Sequence, residues 1–547
     1  MRINIILAEI PRMTGADLLV QALYAAGVRV IFGMPGSHTV AIYDAIERHG
    51  KIRTILIRNE QAGAFAADGY ARVTGRPGVI CTTAGPGATN ALSGIGEAWA
   101  DSTPVLLITG QVNHDRLHEE CGSYHEIDLE SIFRPCTKYV GTAMEHRQIP
   151  EMVERAFQAM TVGRPRPAAL ILPQDLMAAA CSPLPLGEGP GVRDEAPGIS
   201  ALTPNPSPRG RGESEAAALL AHAKHPILLA GGGAVWADAG PEIRQLAERF
   251  NCPVLTSFNG KGILDERNPL ALGHARSVKA RVALSHADAM LAIGCRFTEV
   301  MTGFRKLQVP KRLIQIDINP GEIGMNYPAE LGIVGDAKAA LAAILKALPT
   351  KTASDWSEIW PTARSATRPN SEWLINTLRA ELPDDAVVFT DASEMAYRMH
   401  TDYPAYMPRS FFYPSNYIAL GWGFPAAIGA AVALPERVVV SFSGDGGFVM
   451  TCQELATAAR YQLRMIILVH NDSAYGAIKH LQRIKFESRF RDTELNNPDF
   501  LALAAAFGIP ARRAGDAATF TAALREALAQ NGPFLIEIPD EWRYLRH

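Results

Sequence analysis

The sequence predicts an α/β protein built from three doubly wound parallel sheets in series. Three observations carry that expectation. A chain of 547 residues exceeds what one hydrophobic core supports, and domain-size arguments give three or four units. Short continuous apolar runs alternate with helical patterns, as expected of parallel strands buried on both faces. A Pro/Gly-rich stretch and a polar stretch then divide the alternation into three blocks.

The first block is expected over 13–181. Thr14 reads as the N-cap of a helix with apolar residues at 18, 19, 22, 23 and 26 and Gly27 as its stop. Residues 28–32 (VRVIF) read as a buried strand that runs into the turn Gly33-Met34-Pro35-Gly36. Strands at 105–109 and 168–172 and helices at 59–72 and 150–161 continue the pattern. The segment 182–213 holds 7 Pro and 6 Gly in 32 residues, too little apolar surface to fix one conformation, so it reads as a flexible linker or insertion. The second block, 214–349, carries the strands PILLA, AMLAI and LIQIDI; the third, 365–547, carries AVVFT, RVVVSF and MIILVH. No internal sequence repeat is visible.

Composition narrows the class. Hydrophobic residues at 48%, charged residues at 20% and a net charge of -3 describe an ordinary soluble protein, without the basic excess that nucleic acid or an anionic membrane surface requires. The longest apolar stretch, Phe424 to Leu434, is about half a membrane span. The opening residues lack a signal-peptide pattern, and translation starting at Met13 would fit equally. Seven cysteines, scattered and without a C-x-x-C pair, fit reduced thiols in a cytoplasm rather than disulfides or a zinc site.

The strongest chemical signal is Gly444-Asp445-Gly446-Gly447 directly after an apolar strand, with Asn471-Asp472 beginning 26 positions after Asp445 at the end of the next strand. Parallel strands hold a diphosphate at their carboxyl ends. There glycines admit phosphate oxygens to the backbone, while an Asp and a second side chain hold a magnesium ion. A second signal is Arg58-Asn59-Glu60-Gln61-Ala62 followed by Ala67-Asp68-Gly69-Tyr70-Ala71-Arg72. Taken alone, Glu60 is an acid at a helix start, where the macrodipole favours it.

The stretch from Gly444 to Lys479 resembles the thiamine diphosphate motif of the acetolactate synthase and benzoylformate decarboxylase family, and RNEQAGAFAADGYAR is similar to the family segment with the cofactor-activating glutamate. The resemblance covers nearly all of 13–547 apart from 182–213, and it implies pyrimidine-binding, central Rossmann-like and diphosphate-binding domains in that order. It makes Asp445 and Asp472 magnesium ligands with the carbonyl of Ala474. The family's usual Asn-Asn is Asn471-Asp472 here, so Asn471 stays an alternative ligand. Glu60 would bond the cofactor pyrimidine. Within SNYIALGWGFPAAI, Leu420 would wedge beneath the thiazolium ring and the Ile418 carbonyl would accept from the pyrimidine amine. Ala392, Ser393 and Glu394 fall where relatives approach the diphosphate.

On the substrate side, Ser37 would bond a carboxylate and His38 shuttle a proton, with turn residues satisfied by backbone as the plain alternative. His125 stands where acetolactate synthases carry a glutamine. The middle block carries Gly231-Gly232-Gly233, and in acetolactate synthases this domain binds FAD; the stretch Ala271 to Arg276 departs from the flavin-contacting pattern and weighs against FAD here. The resemblance therefore implies decarboxylation of a 2-oxo acid with transfer of the acyl carbanion to a second carbonyl, in a homodimer or homotetramer. The alternatives are simple decarboxylation or aldehyde ligation, as in benzoylformate decarboxylase or benzaldehyde lyase, and a non-catalytic regulatory homologue. Retention of Glu60 and Asp445 speaks against the last.

Overall fold

Runs of Val, Ile and Leu bury both faces of central strands such as Val105–Gln111 and Pro226–Ala230, edge strands such as Tyr139–Thr142 and Ala511–Arg513 stay partly exposed, and every strand pairing between the elements below is parallel. The computed structural model describes residues 13–117, 122–181, 211–349, 354–366 and 373–539. Among these, three six-stranded parallel sheets follow one another along the chain.

The first sheet runs in the spatial order Arg53–Leu56, Val30–Gly33, Gly78–Thr82, Val105–Gln111, Ala168–Pro173, Tyr139–Thr142. The second runs Leu331–Val334, Arg312–Asp317, Ala289–Ile293, Pro226–Ala230, Val254–Thr256, Ala271–His274. The third runs Phe411–Phe412, Val387–Thr390, Val439–Gly444, Met465–Asn471, Phe534–Pro539, Ala511–Arg513. Counted within its own sheet, the third has the same order as the first, 2-1-3-4-6-5, although no sequence repeat relates them. In both, the order reverses between the first and third strands in chain order, which opens a crevice at their carboxyl ends.

The chain packs as two units. One holds the first sheet, and the other holds the second and third sheets together with residues 68–75 and 162–164. Each sheet has its own apolar core, centred on residues such as Leu106 and Ile108, Leu228 and Leu291, and Val440 and Leu468.

The expected first helix forms over Gly15–Ala25, with Thr14 and Asp17 completing a capping box. The helix expected at 59–72 spans Glu60–Thr74, opened by the Asn59 side-chain oxygen, which accepts from the Gln61 amide at 2.8 Å. Of the segment read as a linker, 182–210 lie outside the described residues, and 211–213 begin the helix Arg211–Ala221. Among the described residues no helix is long and apolar enough to cross a membrane.

Candidate active site

In the third sheet the reversal of strand order falls between Val387–Thr390 and Val439–Gly444, and the residues that follow these strands are Asp391 and Asp445. Strand register thus brings the two acidic turns side by side. A Cβ placed on Gly444 would lie 3.1 Å from the Cβ of Ser393, and one on Gly447 would lie 3.1 Å from Oδ2 of Asp391. A side chain at either glycine would crowd this approach.

Asp391 is fully buried and accepts amide hydrogens from Ala392 at 2.7 Å and Gly423 at 3.3 Å, which ties the strand end to the turn before the helix Gly423–Ala433. Burial outweighs those bonds and pushes its carboxyl up to about 6. Ser393 is the N-cap of the helix Glu394–Asp402, its hydroxyl accepting from Ala396, and Glu394 occupies the first turn. The half-buried Leu420 and its neighbour Ile418 lie in the turn ahead of Gly423–Ala433. Ile418 has φ +59°, a left-handed conformation that β-branched residues avoid. That strain sits in the loop expected to shape the cofactor.

Asp445 opens the helix Asp445–Thr451 and is 1% exposed. Burial raises its proton affinity, against the opposing pull of hydrogen bonds that include Asn497, the Gly446 amide and Asp472. Two carboxyl groups therefore meet in a water-poor pocket, an arrangement that a divalent cation relieves. The Asn497 amide nitrogen donates to Oδ2 of Asp445 at 2.5 Å and to Oδ1 of Asn471 at 3.0 Å. Asn471 also accepts from the Ser473 amide at 3.2 Å and donates to Glu537 at 2.8 Å, so its amide is committed to the framework. Asp472 accepts from the Ala474 amide at 3.2 Å. The Asp445–Asp472 pair would give a metal two charged ligands. That suits magnesium, which completes its shell with phosphate oxygens and water.

In the unit of the first sheet, Glu60 begins the helix Glu60–Thr74 and is 5% exposed. One carboxylate oxygen accepts from the Asn90 amide at 3.0 Å. The other lies 3.2 Å from the Cβ position of Gly87.

The reversal of strand order in this sheet falls between Val30–Gly33 and Gly78–Thr82, and the turns after them carry Ser37 and His38, and Thr83 to Gly87. His38 is buried, whereas Ser37 is exposed, with its hydroxyl 3.1 Å from Nδ1 of His38. Thr83 Oγ1 lies 3.4 Å from the same nitrogen. The His38 ring stacks with His125 at a centroid distance of 5.3 Å and with Tyr124 at 5.7 Å. Burial, then the nearby His125, holds the His38 imidazole below its ordinary value.

Sequence reading missed Asn90, Asn497 and the turn Thr83-Ala84-Gly85-Pro86-Gly87. A lone asparagine carries no local signal. The turn's Gly-Pro-Gly marks only a bend until the fold shows what it touches.

The glycine run of the middle sheet lies at the ends of two of its strands. A Cβ on Gly231 would lie 2.1 Å from the Gly294 carbonyl oxygen, and one on Gly233 would lie 2.8 Å from Cα of Gly294, so this glycine run is used in packing two strand ends together. At the ends of Val254–Thr256 and Ala271–His274, the buried rings of Phe258 and His274 stack at 4.5 Å.

The chain matches the thiamine pyrophosphate enzyme family in three parts: the N-terminal TPP binding domain over 13–132, the central domain over 214–344 and the C-terminal TPP binding domain over 391–538. A probable acetolactate synthase large subunit of Methanocaldococcus jannaschii is 36% identical over 96% of this chain and 92% of its own length. The acetolactate synthase isozyme 2 large subunit of Escherichia coli is 32% identical over 96% and 95%. A probable 2-ketoarginine decarboxylase of Pseudomonas aeruginosa is 34% identical over 96% and 94%. With three matched domains in order and relatives covered almost end to end, the chain belongs to the thiamine pyrophosphate-dependent enzymes and is similar to acetolactate synthase large subunits.

Proposed function

We propose that this enzyme decarboxylates a 2-oxo acid and joins the resulting acyl unit to a second 2-oxo acid, giving an acetohydroxy acid and CO2. The observation that carries the reading is the cluster at the strand-order reversal of the third sheet: Asp445 and Asp472 in contact, beside glycine turns packed on Asp391 and Ser393. Bound there, thiamine diphosphate would supply a nucleophilic carbon that adds to the 2-oxo acid carbonyl and takes up the electrons left by CO2.

The protein's part is binding, orientation and proton control. Asp445, Asp472 and the Ala474 carbonyl hold magnesium against the diphosphate, while Asn471 and Asn497 brace the loop. Ala392, Ser393, Glu394 and the Gly444–Gly447 turn border the diphosphate. Ile418 offers its carbonyl and Leu420 its side chain to the cofactor rings. Glu60, positioned by Asn90, holds and exchanges a proton at the pyrimidine nitrogen, which requires a carboxyl group.

The reading places the chain in the cytoplasm, and the departure of Ala271 to Arg276 from the flavin-contacting pattern weighs against FAD without ruling it out. The chain works as at least a dimer, because in this family Glu60 and the Gly444-Asp445-Gly446 turn meet across a subunit interface. The deciding experiment is to strip the protein with chelator, restore thiamine diphosphate and magnesium, and identify the products from a panel of 2-oxo acids. Acetohydroxy acids are expected. Release of free aldehyde alone would replace this reading with simple decarboxylation.

A further inference from the structure

Between the helices Glu394–Asp402 and Gly423–Ala433, residues 403–422 add to the third sheet only the two-residue edge strand Phe411–Phe412. Further contacts reach this segment from the second sheet, out of the stretch that follows the strand Val254–Thr256. The Glu266 amide donates to the Ala405 carbonyl at 3.2 Å. Gly262 has φ +78°, and a Cβ placed on it would lie 1.9 Å from the Met407 carbonyl oxygen, so the two backbones touch there. The Phe258 ring lies 5.5 Å from that of the buried Tyr413. Both rings belong to the apolar core of the second sheet, and the half-buried Ile418 packs against the same core. Nearest to Ile418 along the chain, the Asn259 amide nitrogen donates to the hydroxyl oxygen of the buried Ser415 at 3.3 Å, and Asn416 donates to that oxygen at 3.0 Å. Among the described residues this is the only side-chain hydrogen bond of Asn259, whose Oδ1 is buried without a partner.

Three residues after Ser415 the backbone turns left-handed at the β-branched Ile418, a conformation that persists only where its surroundings impose it. The bond from Asn259 fixes the chain just ahead of that turn. We infer that Asn259 is a positioning residue for the rings of thiamine diphosphate: by holding Ser415 it sets the path of residues 418–420, and through it the second sheet shapes the cofactor site of the third. This rests on the cofactor site proposed above, in which Ile418 and Leu420 meet the rings while Asp445 and Asp472 hold the diphosphate through magnesium. The two ends of the cofactor are therefore positioned by different contacts. Loss of Asn259 loosens the turn at the rings and spares the diphosphate end, where Asp391, Ser393 and the glycines 444 and 447 are packed on one another within the third sheet.

The test compares two ligands by calorimetry on the full chain in the presence of magnesium: thiamine diphosphate, which has rings, and inorganic diphosphate, which has none. Asn259→Ala should weaken thiamine diphosphate binding by about 2–10-fold, the range for one hydrogen bond between neutral groups, and leave inorganic diphosphate within about 2-fold of wild type. The circular-dichroism band that the cofactor acquires on binding should change in the variant at saturating cofactor, because it reports how the rings are held. Ser415→Ala removes the acceptor and should show both effects, and the double variant should match Ser415→Ala, since the two changes break the same bond. Wild-type affinity for thiamine diphosphate or an unchanged band in Asn259→Ala overturns the assignment. An equal loss for the two ligands also overturns it, because that marks general loosening of the fold. Losses that add in the double variant contradict it as well, because Asn259 then acts elsewhere than on Ser415. A wild-type protein that binds neither ligand overturns the cofactor site itself.

Discussion

Asp445 and Asp472 face the central electrostatic problem of the site, because two neighbouring carboxylates repel unless a proton or a cation lies between them. Replacing Asp445 by Ala should weaken thiamine diphosphate binding at least about 10-fold, since the proposed magnesium would carry much of the diphosphate's charge compensation. Replacing Asp472 by Asn restores the family's usual residue, keeps an oxygen ligand and should leave cofactor affinity within about 10-fold of wild type. Cofactor titration by fluorescence quenching compares the two variants; equal losses would put both acids on the same footing. Asp445 and Glu60 were legible in the sequence because each sits in a dense local motif. Asn90 and Asn497, which position the Glu60 and Asp445 carboxylates, were not, because their partners lie 30 and 52 residues away. The commitment of Asn471 to Glu537, 66 residues distant, was hidden for the same reason.

Among the elements, the turn before Gly423–Ala433 carries the clearest conformational cost. A left-handed, β-branched Ile418 is strained by about 1–2 kcal/mol, and asparagine tolerates that conformation. Ile418→Asn should therefore cost little thermal stability, and cofactor affinity should stay within about 3-fold because the assigned group is a backbone carbonyl. A large loss of affinity would move the role to the side chain. Nine of the eighteen described strands were legible as apolar runs, the pattern of parallel strands buried on both faces. The two-residue strand Phe411–Phe412 was not, because a run so short has no period to read. Nor was the turn Thr83–Gly87, whose importance lies in contacts with segments around 38, 60 and 125.

For the whole molecule, the shared strand order 2-1-3-4-6-5 shows that the first and third sheets are built to one plan and present similar crevices, one beside Glu60 and the other beside Asp445. That order is set by which strands pair, a long-range property that no sequence repeat announced. If these crevices combine between two chains, inactive variants will complement: mixing Glu60→Gln with Asp445→Ala after mild dissociation should restore activity, because a mixed dimer contains one site with both residues intact. No recovery, together with sedimentation as an active monomer, would contradict the shared site. The central claim is that Glu60 activates a cofactor held by the third sheet. Its most direct test is hydrogen–deuterium exchange at the cofactor C2 carbon in wild type and in Glu60→Gln at equal cofactor occupancy. The amide preserves shape but cannot exchange the proton, so C2 exchange should slow by about 10²–10⁴ while binding stays near normal. Exchange at the wild-type rate in Glu60→Gln would contradict the account.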